Sequence, residues 1–157
     1  GGGLGEAVRQ DMGGVRSGTD WSLAGVGSTG YFKRGSAPEA PQDLTNHGAV
    51  NLRLTSAGSI YAWEFEKDGR KLDVRVDGQL AFNNIMPVLE GAAAGIGLAY
   101  VPLDLAAPYL ADGRLIEVLA DWCPSFQGYH LFYPNRRQAS PAFAALVEAL
   151  RYRAPPR

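Results

Sequence analysis

The chain has 157 residues, with 15 Lys+Arg, 16 Asp+Glu, two His, one Cys, 20 Gly and 10 Pro. At 46% apolar and 20% charged it is a globular composition long enough to bury a core, which excludes general disorder. A formal net charge of −1 argues against a basic nucleic-acid-binding face, and no apolar run reaches the roughly 18 residues of a membrane span. The single cysteine, Cys123, excludes an internal disulfide framework and a cysteine-based zinc site. What remains is a soluble protein of a reducing, cytoplasmic compartment that handles a small molecule or another protein.

Gly1-Gly2-Gly3-Leu4-Gly5 is too flexible to open a packed element. Residues 21–27 (WSLAGVG) form a short apolar run closed by Ser28-Thr29-Gly30 and read as a strand. A polar connector from Lys33 to Pro41 follows, and Pro41 preforms the first turn of a short helix. Val50, Leu52 and Leu54 alternate with Asn51 and Arg53, the pattern of a half-buried strand. Tyr61, Trp63 and Phe65 share one face of the next strand, Asp68-Gly69 signals a hairpin turn, and Leu72 to Val76 returns.

After Gln79 to Phe82, residues Ile85, Val88, Leu89, Ala92 and Ala93 repeat at helical spacing, with Pro87 early and Gly95 as the stop. Ile96 to Val101 is a continuous apolar run, typical of a strand buried on both faces, and Pro102 ends it. A helix over about 103–111 stops at Asp112-Gly113. Strands follow at Leu115–Leu119 and 128–134, then a helix from Ser140-Pro141 whose buried stripe is Phe143, Leu146, Val147 and Leu150. The strand–helix–strand order around 79–119 makes the fold class α/β.

The catalytic inventory is thin. His47 falls at the end of the 41–47 helix, where an imidazole caps carbonyls, and His130 lies in an apolar strand. Two His and one Cys without clustered spacing do not make a metal site or a Cys–His pair. Gly91 to Gly97 follows a helix and precedes a strand, the reverse of a dinucleotide-binding loop. No acid–base or nucleophile constellation suggests an enzyme, and no cofactor is implied. Nothing cationic adjoins Cys123 in sequence to lower its pKa.

The better candidates stand where strands end and helices begin, because ligands of open α/β sheets collect at the strands' carboxyl ends. Those points are Ser28-Thr29, Arg53-Leu54-Thr55-Ser56 and Asn83-Asn84. Arg53 is either a bidentate partner for a carboxylate or phosphate, or an exposed strand charge. Asn83 is either a ligand contact or a helix N-cap. Convergence in space decides between these readings.

The order of segments resembles the effector-binding region of LysR-type transcriptional regulators. Ser28 to Phe32, Ala40 to His47, Asn51 to Leu54, Trp63-Glu64-Phe65, Val76-Asp77-Gly78, Phe82-Asn83-Asn84 and above all Ala92 to Pro102 carry the resemblance. Asp112 to Leu115, Asp121-Trp122 and Leu131 to Arg137 continue it. The resemblance implies a periplasmic-binding-protein-like (type 2) fold of two α/β lobes with a small-molecule effector in the cleft between them. Residues 33–125 would form the second lobe, and residues 1–30 and 127–157 part of the first, the chain crossing near Ser28 and Gly128. The implied effector contacts are Ser28, Thr29, Thr55, Ser56, Asn83 and Asn84, to which Arg53 and Phe82 are added here.

The family's winged helix-turn-helix, linker helix and first half of lobe one are not among these residues. Gly3 stands where close relatives carry Arg, and Thr29 stands for a usual proline. The second lobe is thus expected whole and the first partial, in a fragment or truncated gene. DNA would be reached only through an N-terminal domain outside this sequence. The expected partners are a small effector, such as a small carboxylate or aromatic acid, and further copies of the chain, with no membrane. The alternative is a stand-alone small-molecule-binding or interaction protein of the same fold.

Overall fold

The structure is a computed structural model that describes residues 21–54, 59–126 and 140–153. In chain order come β1 (Trp21–Ser28), α1 (Thr29–Lys33), a 3-10 helix (Pro41–Asn46), β2 (Val50–Leu54), β3 (Ser59–Ile60), β4 (Trp63–Lys67) and β5 (Arg70–Val74). There follow β6 (Leu80–Phe82), α2 (Ile85–Ala93), β7 (Ala99–Pro102), α3 (Leu103–Ala111), β8 (Leu115–Val118), a second 3-10 helix (Ala120–Trp122), β9 (Ser125–Phe126) and α4 (Pro141–Arg153). The chain divides into two compact units. One is Ser22–Pro124; the other holds, among the described residues, Trp21, β9 and α4.

In the larger unit β1 lies between two strands from much later in the chain, antiparallel to β7 and β8, with Gly25 opposite both Tyr100 and Val118. Leu23, Ala24 and Val26 are almost wholly buried, so this strand is core on both faces. β2 runs parallel to β6, with Val50, Asn51 and Leu52 opposite Leu80, Ala81 and Phe82, and antiparallel to β3. A parallel bridge from Ala49 to Leu98 ties β2 to the run leading into β7, through Val50 N–H to the Leu98 carbonyl at 2.8 Å.

α2 packs on β2 and β7 through Ile85, Val88, Leu89 and Ala92 of the stripe read from the sequence, while its fifth member, Ala93, is half-buried. Its third residue is Pro87, placed where the missing N–H has no intrahelical partner to lose. β4 and β5 form the expected hairpin, with Lys67 opposite Arg70 across a turn whose Asp68 and Gly69 both have positive φ (54° and 79°). Tyr61, Trp63 and Phe65 are buried around Tyr100, whose ring stacks on Trp63 at 5.4 Å and 13°. Tyr61 donates its hydroxyl to the Glu64 carboxylate, and Tyr100 donates to the Glu64 carbonyl. Burial, reinforced by the nearby carboxylate, pushes the Tyr61 hydroxyl well above its ordinary range, and burial does the same to Tyr100.

Several expectations need correcting. β2 is not half-buried at its start: Asn51 is 6% exposed, because the chain at Val76 covers the second face. The Ile96–Val101 strand begins only at Ala99, with Leu98 held in the bridge and Ile96 49% exposed. The hairpin's return strand is Arg70–Val74 rather than Leu72–Val76, since the tight turn resumes pairing at once. β8 ends at Val118 because Leu119 takes a left-handed conformation (φ 58°) at the start of a 3-10 turn. α1 was not expected. It forms because Ser28 caps it, its Oγ accepting from the Tyr31 N–H at 2.9 Å.

In the smaller unit, α4 starts as expected, with Ser140 Oγ accepting from the Phe143 N–H at 2.9 Å. Phe143, Leu146 and Val147 are buried along one stripe, and Leu150 is half-buried. The strand expected over 128–134, with His130, lies outside the described residues. No described helix is long and apolar enough to cross a membrane.

Candidate effector site

Parallel pairing of β2 with β6 points their carboxyl ends the same way. The last paired residues are Leu52 and Phe82, so the next in each strand, Arg53 and Asn83, emerge side by side at one edge of the sheet. Asn84 follows and begins α2, its Oδ1 accepting from the Met86 N–H at 2.9 Å. The N-cap is therefore Asn84, not Asn83, and Asn83 is exposed. Phe82 is half-buried beneath them. Along the backbone this edge carries Arg53, the exposed Asn83 and the start of α2, groups of the kind that meet anions.

Val50 packs against α2, where a Cβ added at Gly91 would stand 3.2 Å from Val50 Cγ1. By strand alternation Asn51 and Arg53 face the opposite side. There they line a cavity of about 300 Å³, shared with Arg75, Asp77, Gln79 and Leu80. Sequence reading missed these last four. Their one trace in the sequence was the polar–apolar alternation of Arg75, Val76 and Asp77 ahead of Gly78.

Ser28 and Thr29 do not join this edge. Ser28 is buried, with its Oγ committed to capping α1, and Thr29 Oγ1 donates to the Gly113 carbonyl at 2.8 Å. A Cβ added at Gly95, just past α2, would lie 3.3 Å from Ser28 Oγ. Ser28 therefore sits at the C-terminal end of α2 and Asn84 at its N-terminal end. Nine helical residues separate those ends by about 13 Å, farther than one small acid spans. Thr55 and Ser56 lie outside the described residues.

His47 does not cap carbonyls with its ring. Its backbone N–H bonds the Leu44 carbonyl, while Nδ1 meets the Tyr31 hydroxyl at 2.7 Å. Among the described residues no three His, Cys, Asp or Glu side chains are grouped to hold a metal. Cys123 is half-buried, its thiol donating to the Leu119 carbonyl at 3.3 Å. Burial pushes that thiol up to about 11, against an opposing hydrogen bond from the Gly25 backbone. Two units above an ordinary thiol leaves about a hundredfold less thiolate at neutral pH. Labelling by a disulfide-exchange reagent is therefore expected to run at least about a hundredfold slower in the folded protein than in urea. Equal rates would show Cys123 to be an accessible, reactive thiol.

The larger unit is an α/β lobe with a ligand-suited edge at parallel strand ends. The model of the LysR substrate binding domain matches residues 14–155, and the chain belongs to that family. A Pseudomonas aeruginosa relative is 45% identical over 152 residues, which are 97% of this chain and 50% of that protein. The HTH-type transcriptional regulator PgrR of Escherichia coli K12 is 39% identical over 150 residues, 96% of this chain and 50% of PgrR. The chain spans about half the length of both relatives. Among solved structures, full-length AphB of Vibrio cholerae, a virulence activator of the LTTR protein family, superposes with a TM-score of 0.60 at 17% identity. That match covers 88% of this chain and 47% of AphB, and it bears on the fold alone.

Proposed function

We propose that the chain is the effector-sensing part of a LysR-type, DNA-binding transcriptional regulator of the cytoplasm. Residues 33–125 serve as its second lobe, and 1–30 with 127–157 contribute to the first. The longer protein meets DNA through a helix-turn-helix segment outside these 157 residues and acts as a homo-oligomer. Family membership and the HTH-type name of PgrR support this reading. The bound effector shifts the population between two arrangements of the regulator, which requires it to bind one better than the other. The chain acts by binding and not by catalysis.

The effector carries a carboxylate, and one observation carries that choice: the β2–β6 register sets Arg53 beside Asn83 at the start of α2. Of the expected contacts, Arg53, Thr55, Ser56, Phe82, Asn83 and Asn84 are retained. Ser28, which caps α1, and Thr29, which bonds the Gly113 carbonyl, stand apart from this edge. Calorimetric titration with small aliphatic and aromatic acids is expected to show saturable binding. Arg53→Gln should weaken it by about tenfold, the worth of a charge-assisted hydrogen bond, without moving the unfolding midpoint. Unchanged affinity in that variant, or no binding of any acid, would overturn the reading.

A further inference from the structure

β5 pairs with β4 along one side only, and among the described residues no strand pairs with its other side. Arg70, Lys71, Leu72 and Asp73 are exposed, and Val74 is half-buried. The two-residue turn at Asp68-Gly69 makes Lys67 and Arg70 a hydrogen-bonded pair, so by alternation Arg70, Leu72 and Val74 turn their backbone groups to β4. Lys71 and Asp73 turn theirs outward, to an open edge of the kind that a further strand joins.

That edge complements itself. Laid antiparallel against a second copy about Leu72, it sets Lys71 opposite Asp73, Leu72 opposite Leu72 and Asp73 opposite Lys71. The charged positions are the ones with outward backbone groups, so they make the hydrogen-bonded pairs. The leucines make the closer, non-hydrogen-bonded pair between them. Sliding the register by two residues either way sets Lys71 opposite Lys71 or Asp73 opposite Asp73, so charge selects the central register. Among the described residues neither Lys71 nor Asp73 has a salt bridge for this pairing to break. Leu72 is 41% exposed and lines a cavity of about 310 Å³ with Gln42 and Trp122, so it borders open space rather than packed core.

We propose that β5 pairs with β5 of a second copy of this chain, joining two hairpins into one four-stranded antiparallel sheet. The inference rests on the homo-oligomer reading above and deepens it by naming a surface. Five residues of edge bury less than the about 1,200 Å² of a standard interface, so the contact is reversible and depends on concentration.

The test is oxidation by glutathione disulfide of the 157-residue chain carrying Leu72→Cys in a Cys123→Ser background. The two positions at the axis would have Cα atoms about 4.5 Å apart, within the reach of a disulfide. A disulfide-linked dimer is the expected main product, whereas Ala107→Cys, at an exposed position on α3, should end as the glutathione adduct. Adding Lys71→Asp or Asp73→Lys to Leu72→Cys sets like charges opposite at two positions and should slow dimer formation about tenfold. An equal mixture of those two variants should recover it, because the mixed dimer again sets acid against base, a recovery that misfolded chains would not give. Sedimentation of the unmodified chain reads self-association without any thiol. Self-association without the Leu72→Cys cross-link, or a cross-link indifferent to the charge reversals, would overturn the β5 surface and leave the homo-oligomer reading intact. A chain monomeric at every concentration would overturn this inference and withdraw the homo-oligomer reading from these residues.

Discussion

Gly78→Ala is expected to destabilise the protein by at least about 3 kcal/mol and to abolish ligand binding at the β2–β6 edge. A Cβ built at Gly78 would stand 1.8 Å from the Ala49 carbonyl oxygen and within 3 Å of the Ala49 C and N atoms. A flexible side chain would swing away; this obstacle is backbone. Ala49 is fixed from two sides, its N–H bonded to the Asp77 carbonyl at 2.9 Å and its bridge to Leu98 joining β2 to β7. Relief therefore means pulling the entry to β6 off β2, which takes Asn83 from beside Arg53. Urea unfolding reads the loss as a lower midpoint at unchanged slope. Gly35→Ala, where an added Cβ meets nothing within 4 Å, is the control and should stay within about 0.5 kcal/mol. Near-wild-type stability for Gly78→Ala would mean that the β2–β6 pairing is looser than described.

Trp63→Ala is expected to cost about 3–5 kcal/mol, the range for deleting a fully buried aromatic. Trp63 is 2% exposed, stacked on Tyr100 and edge-on to Phe65 at 6.4 Å. Removing it opens a void where the β4–β5 hairpin meets β7, and the surrounding strands are too constrained to close it. Denaturant unfolding measures the loss, and weakened near-ultraviolet dichroism reports the disordered Tyr100. Leu72→Ala, on the hairpin's exposed strand at 41% exposure, should cost less than about 1 kcal/mol. Similar losses in the two variants would contradict a hairpin anchored through one face.

The hairpin and α2 were legible in the sequence because local chemistry and global burial agree there. Alternation, an Asp-Gly turn and a 3.6-residue apolar stripe all name the element that forms. The element ends at Arg53 and Asn83-Asn84 were legible by the same logic, whatever those residues bind. Asn51 was not. It alternates as a solvent-facing residue, and only the return of the chain at Val76 buries it. The placing of Ser28 was not legible either, for a related reason. It ends a strand before a helix, as a binding serine would, but which end of α2 it meets depends on β1 pairing with β7 across nearly the whole unit. Spacing in sequence carries no record of that pairing.

The position of β1 also orders events during synthesis. Among the described strands of its sheet it is made first, yet its neighbours β7 and β8 are translated only some 75–95 residues later. Until then Leu23, Ala24 and Val26 sit on a strand with both hydrogen-bonding edges open, a template for pairing with another nascent chain. The β4–β5 hairpin closes locally within microseconds. Pairing of β1 with both β7 and β8 waits for the ribosome to pass Val118, so that step is paced by translation rather than by the local steps that precede it.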